Sequence, residues 1–141
     1  MATTSASSNL SNQTGRAITT ARGHHLIVDS PPPLGGPNEE LNPLDILLAS
    51  LATCGTFVIE TAARERNIPL ESVTLDVEAD FDPRGVKGVE GINPMITEFR
   101  VKVSIVGTTK EQTIELVEQF KERCPVYTTL ARATSIKFEL I

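Results

Sequence analysis

Apolar residues recur along this chain in different rhythms, and each rhythm points to an element. In "SVTLDVEADFD" Val73, Leu75, Val77 and Ala79 alternate with polar neighbours, the period-two pattern of a half-buried strand. "ITEFRVKVSIVG" alternates again, and "PRGVKGVEGINP" between them reads as a long hairpin loop. From Pro43 to about Arg66 the rhythm is helical: Leu44, Leu47, Leu48, Leu51, Ala52, Cys54 and Val58 cover most of the helical circumference. A helix apolar nearly all round is expected to be buried. Asn42 is its expected N-cap, Pro43 suits the first helical position, and Pro69 in "ERNIP" is the expected stop. A second helix is expected in "TKEQTIELVEQFKERC", capped by Thr109, with Ile114, Leu116, Val117 and Phe120 as its apolar positions.

Shorter signals fill in the ends. "GRAITTA" and "HHLIVDS" are β-branched runs separated by Arg22 and Gly23, which predicts an N-terminal hairpin. "SPPPLGGPNEELNP" is too rich in Pro and Gly to hold a regular element, "CPVYTTLARA" reads as a short helical turn, and "SIKFELI" as a last strand. The polar stretch "MATTSASSNLSNQTG" lacks the basic and apolar regions of a secretory signal and reads as a flexible tail over residues 1–14. Residues 15–141 then form a single domain. The order ββ-α-ββ-α-β gives an α+β fold, a largely antiparallel sheet packed on a long buried central helix.

Composition narrows the classes of function. At 141 residues one core is expected, with about two-thirds of the unfolded surface buried. A net charge of −5 and the lack of any Lys/Arg cluster argue against a nucleic-acid partner. The uncharged run between Asp45 and Glu60 is shorter than the ~20 apolar residues that span a bilayer, so no membrane role is expected. A cytoplasmic location follows, where thiols are normally reduced and the chain's two cysteines are free, metal-bound or redox-active rather than a staple.

Each cysteine supports two readings. Cys54 lies mid-helix, where cysteine is commonly a small buried hydrophobe, and the helix dipole there cannot activate it, so a reactive Cys54 needs a cation from elsewhere. Cys124 precedes Pro125, which makes it either the N-cap of a new turn, where unsatisfied N–H groups favour a thiolate, or simply the end of the preceding helix. His24 and His25 are adjacent in a strand and point to opposite faces, and no CxxC, HxxxH or HExxH spacing exists, so no metal is expected. No phosphate-binding loop and no GxSxG element is present.

"GGPNEELNPLDILLASLATC" together with "ERCPVYTTL" resembles the OsmC/Ohr family, the osmotically inducible and organic hydroperoxide resistance proteins. The shared pattern is a Gly-rich loop, Asn-Pro, a carboxylate, an apolar stretch ending in a cysteine, and a distant Cys-Pro pair. The resemblance implies an intertwined homodimer without a cofactor, acting on a small-molecule peroxide at the expense of an unidentified thiol reductant. It makes Cys54 the peroxidatic thiol and Cys124 the resolving thiol, held by an arginine from the N-terminal strand and a glutamate after Asn-Pro. This chain departs at both supports: Leu44 stands at the glutamate position and Gln13 at the arginine position. Asp45 and Arg16 are the nearest substitutes, with Glu39, Glu40 and Arg22 as further candidates. The expected function is reduction of organic hydroperoxides by Cys54 and Cys124, with Arg16 and Asp45 as activators. Phe57, Phe120 and Tyr127 are candidates to line an apolar substrate pocket. The alternatives are a dimer of the same fold that binds an apolar small molecule or senses oxidation without efficient turnover, and a structural domain with inert thiols.

Overall fold

In the computed structural model, described here over residues 1–132, the chain forms two compact units. One comprises Met1–Leu47 with Asp82–Pro94, the other Leu48–Phe81 with the chain from Met95 onward. The elements are β1 (Ser7–Leu10), β2 (Arg16–Ala21), β3 (His24–Asp29), α1 (Pro43–Glu65), β4 (Ser72–Asp80), α2 (Pro83–Val86), β5 (Glu98–Val106), α3 (Lys110–Arg123) and α4 (Pro125–Leu130). The fold is α+β with antiparallel sheets and a central helix, as expected. Among the described residues the strands form two sheets rather than one, β1-β2-β3 and β4-β5, each built from chain-adjacent partners. The strand expected in "SIKFELI" lies outside the described residues.

In the first unit the expected hairpin closes at Arg22 and Gly23, both left-handed with φ of 51° and 80°. Two successive positive φ values match the twist of the flanking strands, which is why a two-residue connection suffices. The register pairs Arg16 with Asp29 and Ala21 with His24. The tail expected over residues 1–14 contains a strand: Ser7–Leu10 pair with Ala17–Thr20 through their backbones. All four residues of β1 are exposed, so no alternation of apolar and polar side chains marks them.

Helix α1 opens as the sequence predicts. Asn42 Oδ1 accepts hydrogen bonds from the N–H groups of Leu44 (2.8 Å) and Asp45 (3.1 Å), and Asp45 Oδ2 accepts from the Asn42 N–H at 2.9 Å. This reciprocal cap satisfies donors that a helix start leaves free. The stop is Asn67 rather than Pro69: Asn67 takes φ of 53°, and the Ile68 N–H returns to the Ala63 carbonyl at 2.9 Å. At 23 residues α1 is long and apolar enough to cross a membrane, yet Leu51, Ile59, Ala62 and Ala63 lie in the core of the second unit. Full burial is confined to that stripe, not spread all round, and Phe57 is 61% exposed.

The same core takes Leu75 from β4 and Leu116, Phe120 and Cys124 from the α3–α4 end. Each fully buried aliphatic side chain there contributes roughly 1.5–3 kcal/mol of transfer free energy. Strands β4 and β5 pair Val73 with Ile105, Leu75 with Val103 and Val77 with Val101, so one face of the hairpin is apolar as expected. Thr109 caps α3 in a reciprocal box with Gln112. Ile114, expected on the apolar face of α3, is instead 55% exposed.

Candidate active site

The site grows out of the packing of the second unit. Gly55 sits where α1 meets β4 and α3: a Cβ at that position would lie 2.4 Å from Leu75 Cδ2 and 2.9 Å from Phe120 Cε2. The missing side chain lets the three elements approach, and Cys54 is the neighbouring residue. Phe120 in turn packs against Tyr127 of α4, with ring centroids 5.2 Å apart and the rings tilted by 51°. Between them Cys124 both ends α3, donating its N–H to the Phe120 carbonyl at 3.0 Å, and begins α4.

The outcome is that Cys54 and Cys124, 70 residues apart in sequence, have their sulfurs 2.7 Å apart, with the Cys124 thiol donating to Cys54 Sγ. They differ in exposure: Cys124 is fully buried and Cys54 is half-buried. Burial pushes the Cys124 thiol above its usual range, and the contact with Cys54 adds to the rise. The hydrogen bond from the Tyr127 N–H (3.3 Å) acts the other way and is outweighed. Both sequence readings of Cys124 therefore hold for its geometry, but the N-cap does not make it an acidic thiol, because desolvation of the charged form is the larger effect.

Cys54 faces a cavity of about 300 Å³. Its walls are Cys54, Phe57, Val58 and Thr61, which share one face of α1, and Arg123 from the end of α3. Of the expected aromatic lining, Phe57 contributes, whereas Phe120 and Tyr127 pack on each other and are not among the lining residues. Arg123 makes a two-pronged ion pair with Glu65, Nη1 to Oε2 at 2.7 Å and Nη2 to Oε1 at 3.1 Å. That guanidinium draws the Glu65 carboxyl below its usual range.

A second polar cluster belongs to the first unit. Arg16 donates from Nε to Asp29 Oδ1 (2.7 Å), from Nη2 to Asp29 Oδ2 and Glu39 Oε2 (both 2.8 Å), and from Nη1 to Gln13 Oε1 (3.0 Å). Asp29 is 1% exposed and also accepts from the N–H groups of Glu39 and Glu40 at 3.0 Å each. Those charge-assisted bonds, Arg16 first among them, hold its carboxyl at about 2. Asp45 is occupied as the α1 cap, so the carboxylates on Arg16 are Asp29 and Glu39.

A family model described as OsmC-like protein matches residues 36–139, a stretch that holds Asn42-Pro43 and both cysteines. The chain belongs to the OsmC-like family. Solved structures with this fold include an OsmC-like protein from Mycoplasma pneumoniae, 16% identical with a TM-score of 0.77, covering 94% of this chain and 89% of that one. An organic hydroperoxide resistance protein from Elizabethkingia anophelis is 20% identical with a TM-score of 0.72, covering 94% and 90%. Another from Legionella pneumophila is 25% identical with a TM-score of 0.62, covering 92% and 90%. No curated protein matches the chain.

Within this OsmC-like chain, sequence reasoning missed three polar residues. Asp29 was legible in principle, because counting outward from the Arg22-Gly23 turn places residue 29 opposite Arg16. Arg123 had the weaker signal of preceding Cys124. Glu65 had none, since only the packing of α3 on α1 brings it to Arg123.

Proposed function

We propose that this protein is a dimeric thiol peroxidase that reduces organic hydroperoxides. The observation that carries the reading is a half-buried thiol at a largely apolar cavity with a second, buried thiol 2.7 Å behind it. Family membership and the organic hydroperoxide resistance proteins among the similar structures support a part in peroxide defence. Cys54 as thiolate attacks the O–O bond of the hydroperoxide; its sulfur takes the terminal oxygen as a sulfenic acid, and the alkoxide leaves and is protonated to the alcohol. The Cys124 thiol then displaces water from that sulfenic acid, closing a disulfide, and an external thiol reductant supplies two electrons and two protons to restore both cysteines.

Arg16 is our candidate for the cation that favours the Cys54 thiolate, oriented by Asp29 and Glu39. Asp45, which caps the helix that carries Cys54, is the candidate carboxylate of that site. The exposed apolar residues Phe57 on α1 and Leu10 and Ile27 in the first sheet support a homodimer. A cytoplasmic location, where thiols are normally kept reduced, is part of this reading. Oxidation sensing without efficient turnover is a second reading, favoured by one feature: two carboxylates already balance the charge of Arg16.

The test is mass spectrometry of the reduced protein after one equivalent of cumene hydroperoxide or of hydrogen peroxide. A Cys54–Cys124 disulfide is expected, formed faster with the organic peroxide. Cys54→Ser is expected to abolish consumption, and Cys124→Ser to permit one turnover and then stall as a sulfenic acid. Persistently reduced thiols in the wild type would reject the peroxidase reading.

A further inference from the structure

We propose that Glu65 and Arg123 form an electrostatic clamp that positions Cys124 for disulfide closure with Cys54. The inference deepens the peroxidase reading and rests on its assignment of the two thiols. Disulfide bonding is geometrically narrow: the sulfurs must reach about 2.05 Å with the Cβ atoms about 3.8 Å apart. How often the buried thiol meets that window depends on how firmly the α3–α4 corner is held on α1.

The backbone of the corner does not supply that hold. Cys124 donates its N–H to the Phe120 carbonyl and accepts from the Thr128 N–H at 2.9 Å, and both bonds stay within α3 and α4. Beside the Cys124–Cys54 contact itself, a charged link to α1 is made one residue earlier, by the two-pronged Arg123–Glu65 pair. A second link runs parallel to it: Arg66 Nε meets Glu115 Oε1 at 2.7 Å, and Arg66 Nη1 lies 3.7 Å from Glu65 Oε2. Charges of alternating sign thus run from Glu115 through Arg66 and Glu65 to Arg123, joining the end of α1 to α3 at two points. Single exposed ion pairs contribute little, but a two-pronged pair inside a network is the arrangement in which they count. Because Arg123 is bonded directly to Cys124 along the chain, the clamp acts on the resolving thiol with the shortest available lever. Glu65 touches neither sulfur, so it is a positioning residue.

The measurement is redox titration of the full-length protein in glutathione buffers. Here glutathione disulfide takes the two electrons and two protons lost by Cys54 and Cys124, becoming two glutathione molecules. The equilibrium constant reads the effective concentration of one thiol at the other. Glu65→Gln and Arg123→Gln are each expected to lower it about fivefold, making the potential about 20 mV less negative at 29.6 mV per tenfold change. The double variant is expected to fall no further than either single one, the mark of a shared interaction. Glu60→Gln, which removes an ion pair confined to α1, is expected to leave the potential unchanged. Wild-type potentials in Glu65→Gln and Arg123→Gln, or additive losses in the double variant, would overturn the clamp. Because glutathione disulfide is the oxidant, the titration stands whether or not Cys54 reacts with hydroperoxide. Failure of that reaction in the wild type would count against the peroxidase reading alone.

Discussion

At Cys124 and at Asp29 two buried groups respond in opposite ways to the company they keep. Cys124 has the Cys54 sulfur and backbone N–H groups beside it but no cation, so desolvation dominates and pushes its thiol above the usual range. Asp29 has a guanidinium and two N–H donors, so its charged form is the favoured one and its carboxyl falls from 3.8 to about 2. A depressed folded-state pKa contributes stability that is present above the unfolded value and is lost as pH falls through the folded one. The thermal midpoint of the wild type is therefore expected to exceed that of Asp29→Asn at pH 7. The gap should narrow below about pH 4 and nearly close by about pH 2. A gap independent of pH over that range would mean that the Arg16–Asp29 pairing does not contribute through charge.

At the scale of elements, helix α1 shows how one missing side chain sets a distance. Gly55 costs helix propensity of about 1 kcal/mol relative to alanine, yet a Cβ there would run into Leu75 and Phe120, both in the core. Overpacking of that kind costs about 1–3 kcal/mol. Gly55→Ala is accordingly expected to be net destabilising by about 1 kcal/mol, seen as a lower urea midpoint at an unchanged slope. A higher midpoint would show that the three elements can separate at little cost. The ends of α1 obey a different logic, since the Asn42–Asp45 cap and the left-handed Asn67 are local devices. They were visible as residue types in the sequence, although Pro69 concealed the part played by Asn67.

For the whole molecule, what matters is the apolar surface that a single chain leaves uncovered. Phe57 is 61% exposed and Leu10 87% exposed, more than scattered surface hydrophobics need explain when one of them lines the Cys54 cavity. If a second copy covers them, sedimentation should give a dimer at micromolar concentration, and Phe57→Asp should weaken it tenfold or more. A wild type that stays monomeric would remove the dimer from the proposal. The apolar rhythm by itself determined α1, α3 and the strands of the two expected hairpins, because periodicity, caps and turns are properties of neighbouring residues, whereas α2 lies in a stretch that reads as a loop. The two cysteine motifs likewise carried the family. Tertiary structure alone decided which stripe of α1 is buried, which carboxylates hold Arg16, and that Arg123 and Glu65 meet beside the thiols. It also decided the 2.7 Å approach of Cys54 to Cys124. Those are distances between residues far apart in sequence, fixed by how elements pack, and no local pattern encodes them.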